Sequence, residues 1–266
     1  MNASAPTAMP RVHGRGEPCS VPMLLALLAI AVFAASWGCI ALVAHSGRVS
    51  TLWISNAIVL ACLLRRPGRL WPEIVGIAFF ANFAADILSG DLVARAAGLS
   101  FANAVEVLIV AWPLRWLGFD RNFSNTEVLI TFYMLVAAAC GTSAAIAAAT
   151  LHGSTGAPFW PTVGAWFGAD ALGLSLLVPF FVCVRRSAFV ELFAPGQRGL
   201  SVGLLGAVCA VGAICYAFPG WTPNILYFPV LILLTFRCGF AGGAIGLILA
   251  LGITVALTLT GHVPTG

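Results

Sequence analysis

A few polar side chains interrupt runs that are otherwise apolar. Asn82 and Asp86 lie four residues apart and Asn103 and Glu106 three apart, so each pair shares one face of a helix. Asp170 follows Trp166, and Asn56 follows Trp53. No basic residue stands deep enough in the neighbouring runs to pair locally with Glu106 or Asp170. A charged side chain at the centre of a bilayer costs about 3 kcal/mol or more, which marks these carboxyls as functional candidates. Burial disfavours the charged form of a carboxyl, and a protonated carboxyl can hydrogen-bond to a neighbouring Asn. Three uses fit the pattern. The groups can bond one another and hold a bundle together. They can line a pocket for a small ligand or cation, with Asn82, Asp86, Asn103, Glu106, Trp166 and Asp170 as candidate ligand-binding or switch residues. They can form a proton or ion path, although conduction usually recruits more ionisable groups than these.

Other chemistry is thinly represented. There is no P-loop, GxSxG, HExxH, phosphotransfer or cyclase signature, and Asp86 and Asp170 lack the flanking motif of an intramembrane protease. The expectation is therefore that the chain is not itself an enzyme. The eight cysteines form no CxxC pair and mostly sit in apolar runs, where Cys behaves as a small hydrophobe. Neither a metal site nor a bound cofactor is expected. His45, His152 and His262 fall in predicted outer loops, where nothing nearby reads as a partner for them, and His13 falls in the amino-terminal tail.

The elements that carry these residues follow from composition. Of 266 residues, 61% are hydrophobic and 8% charged, and the mean hydropathy is +1.01. A soluble domain carries about 25% charged residues, so the chain is expected to be all-α, a polytopic bundle of eight or nine transmembrane helices. Apolar runs long enough to cross the bilayer begin at 22–44 and continue at about 50–64, 72–89, 96–114, 126–150, 160–184, 199–218, 223–237 and 239–260. Pro219, Pro223 and Pro229 break up the last third, where a half-span or re-entrant hairpin is the alternative. Residues 1–21 read as a disordered cytoplasmic tail, 22–260 as the membrane domain and 261–266 as a short tail.

All 13 basic residues are Arg, and they set the orientation. Arg11, Arg15, Arg65, Arg66, Arg69, Arg115, Arg121, Arg185, Arg186, Arg198 and Arg237 fall on one side of the predicted spans; only Arg48 and Arg95 fall on the other. Positively charged short loops stay in the cytoplasm, which places the amino terminus inside a bacterial inner membrane. Short clusters between spans do not suggest nucleic-acid binding. Trp71, Trp112, Trp116, Trp160 and Trp221 stand near span ends, where amphipathic rings favour the interface. Gly199/Gly203, Gly239/Gly243 and Gly242/Gly246 are spaced for close helix packing.

The order of these motifs resembles the first of the membrane-associated sensor domains, the MASE type-one family. The stretch Leu52 to Leu64 has a Trp-led span ending in a Leu-rich run, and Trp71 to Asn82 is similar to the family's Trp-Pro start followed by Gly and Asn. Ala102 to Leu108 resembles its Asn-x-x-Glu span, and Trp166 to Pro179 its Asp-Ala-Leu-Gly and later Pro pattern. Where the family has a Pro-rich, Gly-containing stretch after the first Trp, this chain has Ile54-Ser55-Asn56. The family's closing span and the output domain behind it have no counterpart after Gly261. The expectation is a fragment, or a chain that works without an attached output domain. The resemblance implies a sensory input module that acts on a cytoplasmic histidine kinase or cyclic-di-GMP enzyme, with a homodimer as a further expected assembly. The residues alone leave two alternatives open, a substrate-binding membrane subunit of a transporter and a membrane enzyme acting on lipid-linked substrates.

Overall fold

The computed structural model describes residues 20–46, 52–119, 123, 125–183, 186–218 and 226–259. Residues 1–19 of the predicted amino-terminal tail, the predicted tail 261–266, Arg48, Arg121, Arg185, Pro219, Trp221 and Pro223 lie outside the described residues, and Val21, expected in the tail, begins α1. Among the described residues every regular element is helical: α1 (Val21–Ser46), α2 (Ser55–Arg65), α3 (Trp71–Leu88), α4 (Val93–Trp116), α5 (Thr126–Thr155), α6 (Phe159–Cys183), α7 (Arg186–Leu192), α8 (Arg198–Ala217) and α9 (Tyr227–Leu259), with a short 3-10 turn at Gly68–Leu70 before α3.

Seven of these helices, α1, α3, α4, α5, α6, α8 and α9, are long and apolar enough to cross a membrane. That is slightly fewer than the eight or nine expected, and the difference has two physical sources. The apolar run at 50–64 is helical only from Ser55, because the backbone before it is committed elsewhere: the Trp53 N–H donates to Ala169 O on α6 at 3.1 Å. The two runs expected after Pro223 are the two arms of α9, which bends at Gly239, where φ is +67° and ψ −173°. A side chain on Gly246 would meet Leu231 and Leu234, and one on Gly243 would meet Thr235. In a straight helix residues 231 and 246 would stand about 22 Å apart, so the arm over 240–259 folds back on the arm over 227–238. Of the glycines spaced for close packing, Gly242, Gly243 and Gly246 lie in that contact, whereas a side chain on Gly199 or Gly203 would meet nothing within 4 Å.

The helix surfaces carry large apolar groups outward, including Ile30, Phe80, Met134 and Phe236, as a lipid-facing surface requires. Trp112, Trp116 and Trp160 are exposed at helix ends, whereas Trp71 is buried and its Nε1 donates to Leu63 O at 3.0 Å. Val32, Leu60, Leu63, Ile74, Val110, Phe132 and Leu174 belong to a core shared by α1–α6. Leu192, Val208, Tyr227 and Leu234 belong to a second core built from α7, α8 and α9. The α9 helix touches α1 and α6 where the two cores meet.

Local signals set the helix ends. Pro72 opens α3, where a missing N–H costs nothing. Asn125 caps α5 by accepting from Glu127 N at 2.9 Å, and Gly156 ends that helix in the left-handed conformation. His152, expected in a loop, lies in the last turn of α5 with Nδ1 2.8 Å from Ala157 O.

Candidate functional site

Asn103 and Glu106 project from one face of α4, as their spacing predicts, and both are buried. Asn56, the second residue of α2, joins them: its Nδ2 donates to Asn103 Oδ1 at 3.0 Å and to Glu106 Oε1 at 2.9 Å. Asp170 reaches the same place from α6. Its carboxyl lies within hydrogen-bonding reach of Glu106 and of Trp166, one turn earlier on α6. Ser143 on α5 completes the cluster, close to Glu106 and accepting from Trp166 Nε1 at 3.1 Å. Glu106 is 0% and Asp170 2% exposed. No N–H or O–H donor of the described residues reaches Glu106 Oε2 or Asp170 Oδ2.

The backbone around this cluster is unusual for a membrane interior. Leu52, Trp53 and Ile54 are non-helical, and irregular backbone at membrane depth is tolerated only where protein buries it or a cavity lies beside it. Gly173 on α6 makes the approach possible, because a Cβ there would collide with the Trp53 carbonyl. The Trp53 and Trp166 rings then lie 6.3 Å apart, centroid to centroid.

Beside the two tryptophans lies a cavity of about 440 Å³. Asp86, Asp91, Asn103, Trp166 and Asp170 line it together with apolar groups such as Ile40 and Leu99. Its volume falls in the range of small-molecule sites, roughly 300–1,000 Å³. Asp91, two residues before α4, is paired with Arg95 at 2.6 Å. The cavity occupies one end of the bundle. At the opposite end, Arg115 Nη1 donates to Arg66 O at 3.2 Å and its guanidinium stands 5.4 Å from the Trp71 ring centroid. The α2 helix runs between these ends, from Trp53 at the cavity to Arg65.

Of the sequence-predicted residues, Asn103, Glu106, Trp166 and Asp170 meet in one cluster, and Asp86 faces the cavity that adjoins it. Asn82 stands apart from that cluster and accepts from Ser36 Oγ on α1. A void of about 10 Å³ separates it from Asn56 and Asn103. Sequence reasoning noted Trp53 and Asn56 without placing them among the candidate residues, and it passed over Asp91, Ser143 and Ser36. Asn56 and Trp53 did carry a signal, a polar residue and an indole inside an apolar run. Asp91 looked like an ordinary loop residue, and the serines gave no signal. Among the described residues no group of three or more His, Cys, Asp or Glu is arranged to hold a metal ion.

Fold and site together define a multi-pass helical membrane protein with an acidic, tryptophan-lined cavity joined to a buried carboxyl cluster. A family model for MASE1 matches residues 22–265, and the chain belongs to that family, whose members are membrane-associated sensor domains. Comparison with curated proteins and with solved structures gives no match.

Proposed function

We propose that the chain is a sensory input module of a bacterial inner membrane, with its amino terminus in the cytoplasm. A ligand enters the cavity and biases the packing of α2, α4 and α6, and a cytoplasmic histidine kinase or cyclic-di-GMP enzyme reads the change. The observation that carries this reading is the continuity from the cavity to the cluster. Asp170 lines the cavity and touches Glu106, which Asn56 ties to α2. Occupancy on one side of Asp170 therefore bears on the helix that ends at Arg65, on the arginine-rich side. A ligand shifts such an equilibrium only by its differential affinity for the two arrangements. Asp170 is suited to supply that difference because its Oδ2 lacks a donor.

The test is purification of the native product from its own membranes through an amino-terminal tag, with mass spectrometric identification of what accompanies it. A kinase or nucleotide cyclase, fused or copurifying, supports the sensory reading. A transport ATPase, with substrate uptake lost on deletion, would replace it with the transporter reading.

A further inference from the structure

Resting on the reading of the cavity as the sensory site, we propose that its ligand is a small organic ammonium ion with an apolar or aromatic body and a hydrogen-bond acceptor. Charge points to a cation. Three carboxyls, those of Asp86, Asp91 and Asp170, line the cavity, and no basic residue of the described chain does. The nearest cation, Arg95, is already paired with Asp91, so the wall keeps an excess of acidic groups. In a low-dielectric site an uncompensated acid strongly favours a positive partner.

A second, independent feature is the state of Asp170. It is 2% exposed, lines the cavity, and leaves Oδ2 without a donor. Buried polar atoms of this kind are rare in folded proteins, and an ammonium N–H supplies the missing hydrogen bond in charge-assisted form. The indoles of Trp53 and Trp166 stand at the same wall, and Trp is the aromatic side chain that attracts cations best, at about 6 Å from the ring centroid. The Trp53 Nε1 is buried without an acceptor, which calls for an acceptor atom on the ligand. A bare metal ion fits poorly. The volume of about 440 Å³ far exceeds what an ion needs, and Ile40, Leu99, Leu151 and Ala165 offer it no ligands.

The experiment uses the full chain purified in dodecyl maltoside, a detergent with neither charge nor amine. Tryptophan fluorescence and calorimetry follow titration with 2-phenoxyethylamine, 2-phenoxyethanol and phenoxyacetate, which share one body and differ in charge. The amine is expected to bind saturably and about tenfold or more tightly than the other two, a difference of about 1.4 kcal/mol. Asp170→Asn should weaken it by about tenfold. Because Asp170 is in the core, Asp86→Asn provides a second variant, and both are used only if monodisperse by gel filtration. If phosphatidylethanolamine displaces the amine and phosphatidylglycerol does not, the natural ammonium is a lipid headgroup; if neither does, it is a soluble amine. Equal binding of amine and alcohol, both lost in Ala165→Trp, overturns the ammonium class and leaves the cavity as a ligand site. No binding by any of the three, or binding indifferent to Asp86→Asn and Asp170→Asn, also overturns it. The sensory reading is then decided separately by the partner the native protein brings with it.

Discussion

Asn56 and Glu106, on α2 and α4, are joined by a 2.9 Å hydrogen bond in which the Asn56 amide donates to a carboxyl buried from solvent completely. The same amide holds Asn103 Oδ1 at 3.0 Å. One side chain of the shortest helix in the α1–α6 bundle thus satisfies two acceptors of its neighbour. That makes Asn56 a pivot between the carboxyl cluster and the helix that leads to Arg65 and Arg66.

Asn56→Leu strips both acceptors at once. Each buried acceptor left without a donor costs about 1–3 kcal/mol, so a clear fall in melting temperature in detergent is expected while membrane insertion persists. An unchanged melting temperature would show that the two bonds carry no weight.

Glu106→Gln and Glu106→Ala should part company. The Gln side chain keeps an oxygen for Asn56 and brings an N–H within reach of Asp170, whose Oδ2 lacks a donor. It should be tolerated at close to wild-type stability. The Ala variant leaves Asn56 and Asp170 short of partners and opens a polar hole, and it should melt well below both. Thermal unfolding of the three proteins side by side checks this, and equal losses in both variants would sink it.

Gly173→Ala places a methyl group against the Trp53 carbonyl, whereas Gly168→Ala, five residues earlier on the same helix, meets nothing within 4 Å. The first should destabilise and disturb the Trp53–Ala169 hydrogen bond. The second should be neutral or stabilising by up to about 1 kcal/mol from helix propensity. The pair is read by thermal stability together with near-ultraviolet circular dichroism of the indoles. The opposite ranking would mean that Trp53 does not approach α6.

In a cysteine-free background, Leu234→Cys with Gly246→Cys should cross-link under mild oxidation, as measured by loss of free thiols. The two positions adjoin across the turn at Gly239, but would be about 18 Å apart in a straight helix. Gly239→Ala should cost on the order of 1–3 kcal/mol, since the backbone there is nearly restricted to glycine. Absence of the cross-link would speak for a straight α9.

Membrane class, helix placement and the Asn103–Glu106–Trp166–Asp170 cluster were legible because a polar group in an apolar run is an anomaly that sequence displays. The Ser36 and Ser143 contributions were not, since helices tolerate a hydroxyl that bonds its own backbone, and such a serine looks alike whether or not it bonds a neighbour. The non-helical backbone at Trp53 was hidden for a different reason. It depends on Gly173, far along the chain, and the local run reads as continuous apolar helix. The turn at Gly239 lay among several glycines at packing distances, so nothing local distinguished the one that bends the chain from those that line the bend. Asp91 and Arg95 pair one turn apart, as loop-edge charges often do, and only the cavity makes Asp91 part of a site.

In the sensory reading proposed above, the cavity beside Asp170 governs a cytoplasmic signalling enzyme. That control is tested most directly by the activity of the enzyme recovered with the native protein, compared in membranes bearing wild type, Asp170→Asn and the cavity-filling Ala165→Trp at equal abundance. Both variants are expected to shift that activity away from wild type, by about tenfold if the coupling is worth about 1.4 kcal/mol, while the amount inserted stays constant. Wild-type activity in both variants would contradict it and reduce the carboxyl cluster to packing.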